Sequence, residues 1–231
     1  MSLFDPEDPK QFSGYLDPSI EVDVSERHLP HWQLNGGLYF VTWRLADSLP
    51  QNLLRQWSEE KRVWLRKHPK PWDATSQETY RREFPRRMEA WLDAGYGACV
   101  LREPACANIL SEVIRRFDSE RYDIGSFVIM PNHVHALFQL RGTTKLKPLL
   151  QAWKGASARN INTRLGKRGT LWQQESRDTS IRNYDHLLRS YVYVLENPQK
   201  ARLAPEEFLY YEAPGLKQQL RAMGGDFDSG E

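Results

Sequence analysis

The chain has little cysteine: only Cys99 and Cys106 in 231 residues. They lack Cys-x-x-C spacing and a neighbouring Cys/His pair, so neither a zinc knuckle nor a disulfide framework is indicated. Reduced structural thiols are the expected state, which suits a cytosolic protein. No apolar run approaches the roughly 20 residues that cross a bilayer. The first residues, Met1-Ser-Leu-Phe-Asp-Pro, are acidic and proline-bearing, unlike a signal peptide. There is no internal repeat. Large net charge is also missing, at +2. Together these absences lead us to expect a soluble cytoplasmic protein without a membrane partner, nucleoid-associated if it binds DNA.

What charge there is lies unevenly. From Arg141 to Arg202 there are 13 Lys/Arg against 4 Asp/Glu, a net of +9, and the remainder carries −7. A basic second half suggests a polyanion partner. The plainer alternative is a set of solvated helix faces. The apolar fraction of 40% and charged fraction of 27% are those of an ordinary globular chain, long enough for one domain with additions.

Along the chain, residues 1–35 read as a polar N-terminal arm. Leu38 to Leu45 is a strand rich in aromatic and β-branched residues. Residues 51–100 read as a helical insertion, with Pro69 and Pro71 breaking it. Cys106–Phe117 is an amphipathic helix, and Tyr122–Met130 pairs with Val134–Leu140 as a hairpin. Leu146–Leu165 is a helix. Leu171–Gln174 and Thr179–Arg182 are short extended pieces. Asp185 to about Asn197 is the last core helix, because Pro198 disfavours helix at the residue before it. A catalytic domain is expected over 36–205, and 206–231 as a largely disordered tail. The tight hairpin favours an α+β fold, an antiparallel sheet with helices on one face.

The most informative stretch is Phe127-Val-Ile-Met-Pro-Asn-His-Val-His-Ala-Leu-Phe138. Side chains alternate along a strand, so His133 and His135 share one face and Val134 takes the other. Two imidazoles side by side on a core strand are expensive unless something uses them, and a divalent metal is the obvious user.

On the last helix, Leu187, Leu188, Tyr191, Val194 and Leu195 form an apolar stripe at about 100° per residue. Tyr191 belongs to it. Tyr193 falls on the other side with His186, Arg189, Ser190 and Asn197, its hydroxyl one turn from the Asn197 amide.

Met130-Pro-Asn-His-Val-His135, followed by Tyr193-Val-Leu-Glu-Asn-Pro198, resembles the single-tyrosine HUH transposases, and most closely the REP-associated tyrosine transposases. The segments Tyr39-Phe-Val-Thr-Trp-Arg-Leu45 and Leu171-Trp-Gln-Gln174 with Ile181-Arg182 are similar to that family too. The resemblance covers roughly residues 30–205. It implies a ferredoxin-like sheet, His133 and His135 as metal ligands, Tyr193 as nucleophile and Asn197 as third ligand. The single-strand insertion-sequence transposases carry glutamine where this chain has the shorter Asn197, and the long 51–100 insertion departs from the family's compactness. The implied cofactor is a divalent ion, Mg²⁺ or Mn²⁺. The implied partner is single-stranded or palindromic hairpin DNA, bound by a monomer or homodimer.

The basic half suits such a partner. Lys145, Lys147, Lys154, Arg159, Arg164, Lys167, Arg168 and Arg182 are candidate phosphate contacts. Trp153 and Trp172 are either stacking platforms for unpaired bases or, the stronger reading, core residues. Two other functions stay open: a domesticated hairpin-DNA-binding protein with little cleavage, and a metal-dependent hydrolase of a small phosphoester.

Overall fold

The computed structural model describes residues 22–27, 29–34, 36–181 and 183–222. Strands β1 (Val22–Arg27) and β2 (Leu29–Leu34) pair antiparallel with each other. This part of the expected arm is therefore a hairpin rather than an isolated extended segment. The rest of the arm lies outside the described residues.

The central sheet has five strands: β3 (Leu38–Arg44), β4 (Tyr122–Ile129), β5 (His133–Leu140), β6 (Arg177–Ser180) and β7 (Leu209–Glu212), in the order β6-β3-β5-β4-β7. Every pairing is antiparallel. Helix α4 (Pro104–Arg115) connects β3 to β4, and α5 (Leu146–Arg164) connects β5 to β6. Strand, helix, hairpin, helix and strand in that order give the expected ferredoxin-like α+β core.

Alternation sorts the residues between the two faces. Tyr39, Val41 and Trp43 of β3, with Val134, Ala136, Phe138 and Leu140 of β5, pack against Leu110 and Ile114 of α4 and Leu149, Trp153 and Ile161 of α5. Trp153 and Trp172 are both buried in this layer. Their indole N–H groups donate to Tyr122 Oη and Ser157 Oγ, so both are core residues.

The opposite face is covered by α6 (Tyr184–Lys200) and α7 (Leu216–Ala222), which pack Leu187, Tyr191, Leu216 and Leu220 on Leu137. Helices thus cover both faces of the sheet rather than the one face expected, and two further expectations change here. Helix α6 does not stop at Asn197. Pro198 lies inside it, and the Asn197 carbonyl accepts from Ala201 N–H at 3.0 Å. Proline removes a donor and disfavours helix in the preceding residue, but burial of Asn197 and Pro198 against the sheet outweighs that local preference. Nor is the tail after 205 unstructured as far as Ala222: β7 adds to β4, and Leu216 and Leu220 give α7 an apolar anchor.

The insertion contains α1 (Gln51–Lys67), α2 (Ala74–Arg81), a π-helical stretch at Arg82–Arg86, and α3 (Arg87–Asp93). Its interior is aromatic: Trp64 lies edge-on to Trp72 at 5.0 Å and against Tyr80 at 5.3 Å. Its neck closes where Ala98 N–H donates to Asp47 Oδ2 at 2.9 Å. Gly97 there has φ +89°, and a Cβ would sit 2.5 Å from the Asp47 carbonyl oxygen. Gly97→Ala is therefore expected to destabilise the protein by about 1–3 kcal/mol, the range for a strained backbone site. Urea denaturation checks this, and an unchanged midpoint would show that the neck yields freely.

Candidate active site

The register of β3 on β5 sets Thr42 opposite His135 and Arg44 opposite His133. Both histidines point to the α6 face and are 1% exposed. Their Nε2 atoms stand 3.0 Å apart. Each Nδ1 is engaged, His133 with Asn132 Oδ1 and His135 with Thr42 Oγ1, both at 2.7 Å. Burial pushes His133 down to about 3, and burial, then His133 and Arg177, hold His135 well below the usual range. Both imidazoles are neutral at neutral pH, the form that can ligate a metal.

Helix α6 brings up the other candidates. The Tyr193 ring stands edge-on to His135 at 5.0 Å and to Phe40 at 5.6 Å. Phe40 in turn stacks on His135. Burial, then Glu89 and Asp93, raise the Tyr193 phenol above its ordinary value, while Arg177 and a hydrogen bond from the Asn197 side chain act the other way. Asn197 is 1% exposed, and its Oδ1 has no hydrogen-bond partner. Ser190 and Asn197, on the polar side of the helix, are buried. Ser190 Oγ donates within the helix to the His186 carbonyl at 2.8 Å. Tyr191 lies elsewhere: it is buried, and its hydroxyl donates to Glu212 Oε2 at 2.6 Å.

Two neutral imidazoles with adjacent Nε2 atoms, and an amide oxygen one helical turn beyond the tyrosine, make a donor set suited to a divalent ion. An orphaned buried oxygen is costly unless something binds it, at about 1–3 kcal/mol. The residues fit the implied metal. Among the described residues no cluster of three His, Cys, Asp or Glu that could hold a metal is present.

Sequence reasoning missed several neighbours. Thr42 could have been found from its strand parity with His135. Glu89 and Asp93 are four residues apart on α3, but nothing local reveals that α3 docks here. Glu89 pairs with Arg177 at 3.1 Å. Asp93 is pushed up to about 6 by burial and by Glu89, against Lys200.

The basic candidates divide. Lys147, Arg159, Lys167 and Arg168 are exposed, as is Lys145. They belong to α5 and its flanking turns, and α5 covers the sheet face opposite the histidines. Arg164 pairs with Glu103 at 2.8 Å. Lys154 is no free phosphate contact. Its ammonium donates to the carbonyls of Gln173, Gln174 and Glu175 and to Ser176 Oγ, and burial and then Arg44 pull it down to about 8, against Glu175. Arg182 lies outside the described residues.

A model of the family described as "Transposase IS200 like" matches residues 97–192. That segment is similar to the IS200-like transposases. The matched segment holds both histidines and ends one residue before Tyr193. Solved structures similar to this chain include two transposases. One is a REP-associated tyrosine transposase bound to a REP hairpin, at 16% identity, with 76% of this chain and 74% of that chain covered and a TM-score of 0.42. The other is a putative transposase from Deinococcus radiodurans R1, at 12% identity, 78% and 98% coverage and a TM-score of 0.29. No curated protein matches. No helix among the described residues is long and apolar enough to cross a membrane.

The neutral histidines carry a pH dependence. The unfolded chain protonates each near 6.5, so below that it binds more protons than the folded protein. Stability is expected to fall as pH drops from about 6.5 towards 3, by up to about 1.4 kcal/mol per pH unit for each histidine. Urea midpoints of chelator-treated protein between pH 7 and 5 measure this. His133→Gln with His135→Gln should flatten the slope, and an unchanged slope would place its source elsewhere.

Proposed function

We propose that this transposase relative is a metal-dependent single-strand DNA endonuclease and strand transferase of the REP-associated type. Tyr193 is the nucleophile, His133 and His135 hold the ion, and Asn197 completes its protein ligands. The observation that carries this reading is the Tyr193 ring edge-on to His135 at 5.0 Å, beside an Nε2 pair 3.0 Å apart.

The chemistry is a transesterification. The Tyr193 oxygen forms a bond to the scissile phosphorus, the phosphorus–O3′ bond breaks, and the phenolic proton is lost as the 3′ oxygen gains one. A 5′-phosphotyrosine and a free 3′-hydroxyl remain, so the strand can be rejoined without an external energy source. When bound, a divalent ion supplies charge neutralisation on the phosphodiester. The chain's own residues do the rest. The Phe40 and His135 rings hold the phenol in place. Arg177 offsets part of the burial that keeps the phenol protonated.

The DNA is a palindromic hairpin with an adjacent single-stranded cleavage site, the substrate implied by the motifs' resemblance. The exposed cations Lys147, Arg159, Lys167 and Arg168 suit a phosphate backbone.

Incubation with Mn²⁺ and a labelled hairpin oligonucleotide should give a covalent adduct on a denaturing gel. Tyr193→Phe should abolish the adduct while leaving binding intact. His133→Ala with His135→Ala should abolish metal-dependent cleavage. Adduct at the wild-type level from Tyr193→Phe would sink the assignment, and loss in Tyr191→Phe alone would move it there. Tight hairpin binding by the wild type with no adduct in any divalent ion would leave a domesticated DNA-binding protein.

A further inference from the structure

The two Nδ1 partners of the histidine pair are chemically unlike, and the difference leads back to the insertion. Asn132 sits at the turn between β4 and β5 and is 0% exposed. Its Nδ2 donates to the backbone carbonyls of Leu92 and Tyr96, each at 3.1 Å. Carbonyls only accept, so these two bonds fix which way the Asn132 amide faces. Its Oδ1 must then face His133, and an amide oxygen only accepts. The proton on His133 is thereby held at Nδ1, and its Nε2 is a bare lone pair.

Leu92 is the buried anchor of α3, and Tyr96 follows it at the neck of the insertion. The same turn is gripped from two more sides. Leu45 N–H donates to the Asn132 carbonyl at 2.8 Å, and Leu101 N–H to that of Pro131 at 3.2 Å. Leu45 precedes the insertion and Leu101 follows it.

His135 is held differently. Thr42 offers a hydroxyl, which donates or accepts. With no cation, His135 Nε2–H can donate to the bare Nε2 of His133 while Thr42 donates to His135 Nδ1. With a cation, the His135 proton can move to Nδ1 and the Thr42 hydroxyl turns to accept it. Each state leaves every ring nitrogen with a partner.

We propose that Asn132 and Thr42 are positioning residues: Asn132, oriented by the insertion, locks His133 in one tautomer, and Thr42 lets His135 switch tautomer when a divalent ion enters. The inference rests on the reading of the histidine pair as a cation site. It gives the 51–100 insertion a place in that site, since the carbonyls that orient Asn132 belong to it.

The test uses the full chain labelled with ¹⁵N-histidine, and Zn²⁺ as a diamagnetic probe. Without metal, His133 should read as the Nδ1–H tautomer and His135 as Nε2–H. Saturating Zn²⁺ should convert His135 alone to Nδ1–H. Asn132→Ala should give His133 a mixed tautomer and weaken Zn²⁺ binding about 10–100-fold, the usual effect of losing a ligand's outer partner. Asn132→Asp keeps an acceptor for His133 and loses both donors. It should keep the His133 tautomer while amide exchange across Leu92–Gly97 quickens. Thr42→Val should weaken Zn²⁺ binding and leave the His133 tautomer unchanged. Far-UV circular dichroism checks that each variant folds. An Nε2–H tautomer at His133 in the metal-free wild type, or an Asn132→Ala variant with wild-type tautomer and affinity, overturns the proposal. A wild type that binds no Zn²⁺ overturns the cation site and the His135 switch. The metal-free His133 tautomer then still decides the Asn132 lock.

Discussion

The antiparallel pairing of β3 with β5 is the constraint on which the rest depends. Its register puts Thr42 opposite His135 and turns both histidines away from the Trp43–Trp153 core. Side-chain direction has a period of two, so a slip of one residue would drive both imidazoles into the apolar layer under α4 and α5. The fold resists that slip from both sides of the sheet. Val134, Ala136 and Phe138 belong to one packed layer, and Leu137 belongs to the other, beneath α6 and α7. The polar pair is held in place by the apolar residues it alternates with.

That alternation explains how much could be read beforehand. The histidine pair, the strand hairpin and the helices on either side of it are local patterns, and local patterns survive folding. The apolar stripe of α6 was legible for the same reason, with Leu187, Tyr191 and Val194 all buried. Its other flank was not. Ser190 and Asn197 look like solvent-facing residues because polarity usually marks water. Here both side chains are buried beside Tyr193 and its contact with His135. No single helix carries that information, because it belongs to the pairing of α6 with β5. The continuation of α6 through Pro198 has the same origin, a tertiary contact outweighing a local signal.

Charge shows a similar mixture. The basic bias of residues 141–202 is real in sequence, but part of it is answered within the fold. Arg164 meets Glu103, Arg177 meets Glu89, and Arg141 meets Asp123, each acidic partner lying outside the basic stretch. Exposed pairs of this kind add little stability, about 0–1 kcal/mol each. Their larger effect is on the potential a polyanion meets, since an arginine beside a carboxylate attracts phosphate less. Lys154 goes further, with its ammonium folded onto the 173–176 loop. The cations left to act outward are therefore concentrated on the exposed side of α5 and on the Lys167–Arg168 turn.

The histidine centre makes the strongest case for reading an insertion as part of the site. Burying polar groups without partners costs about 1–3 kcal/mol each, so a buried pair of neutral imidazoles persists only where its ring nitrogens are answered. Two of the four are answered by each other, one by Thr42 and one by Asn132. Asn132 in turn has all its amide groups engaged, and its two donors end on the insertion. The polar chain running from the His133 ring therefore closes outside the core fold, at Leu92 and Tyr96. A helical segment added between β3 and α4 would ordinarily be peripheral to a ferredoxin-like sheet. In this chain the added segment brackets the histidine turn and satisfies the residue that orients its first imidazole. Its loss would leave Asn132 with two unanswered donors and an amide free to turn. Among the described residues two buried side-chain oxygens have no partner, Ser126 Oγ on β4 and Asn197 Oδ1, and the second lies on α6 beside Tyr193.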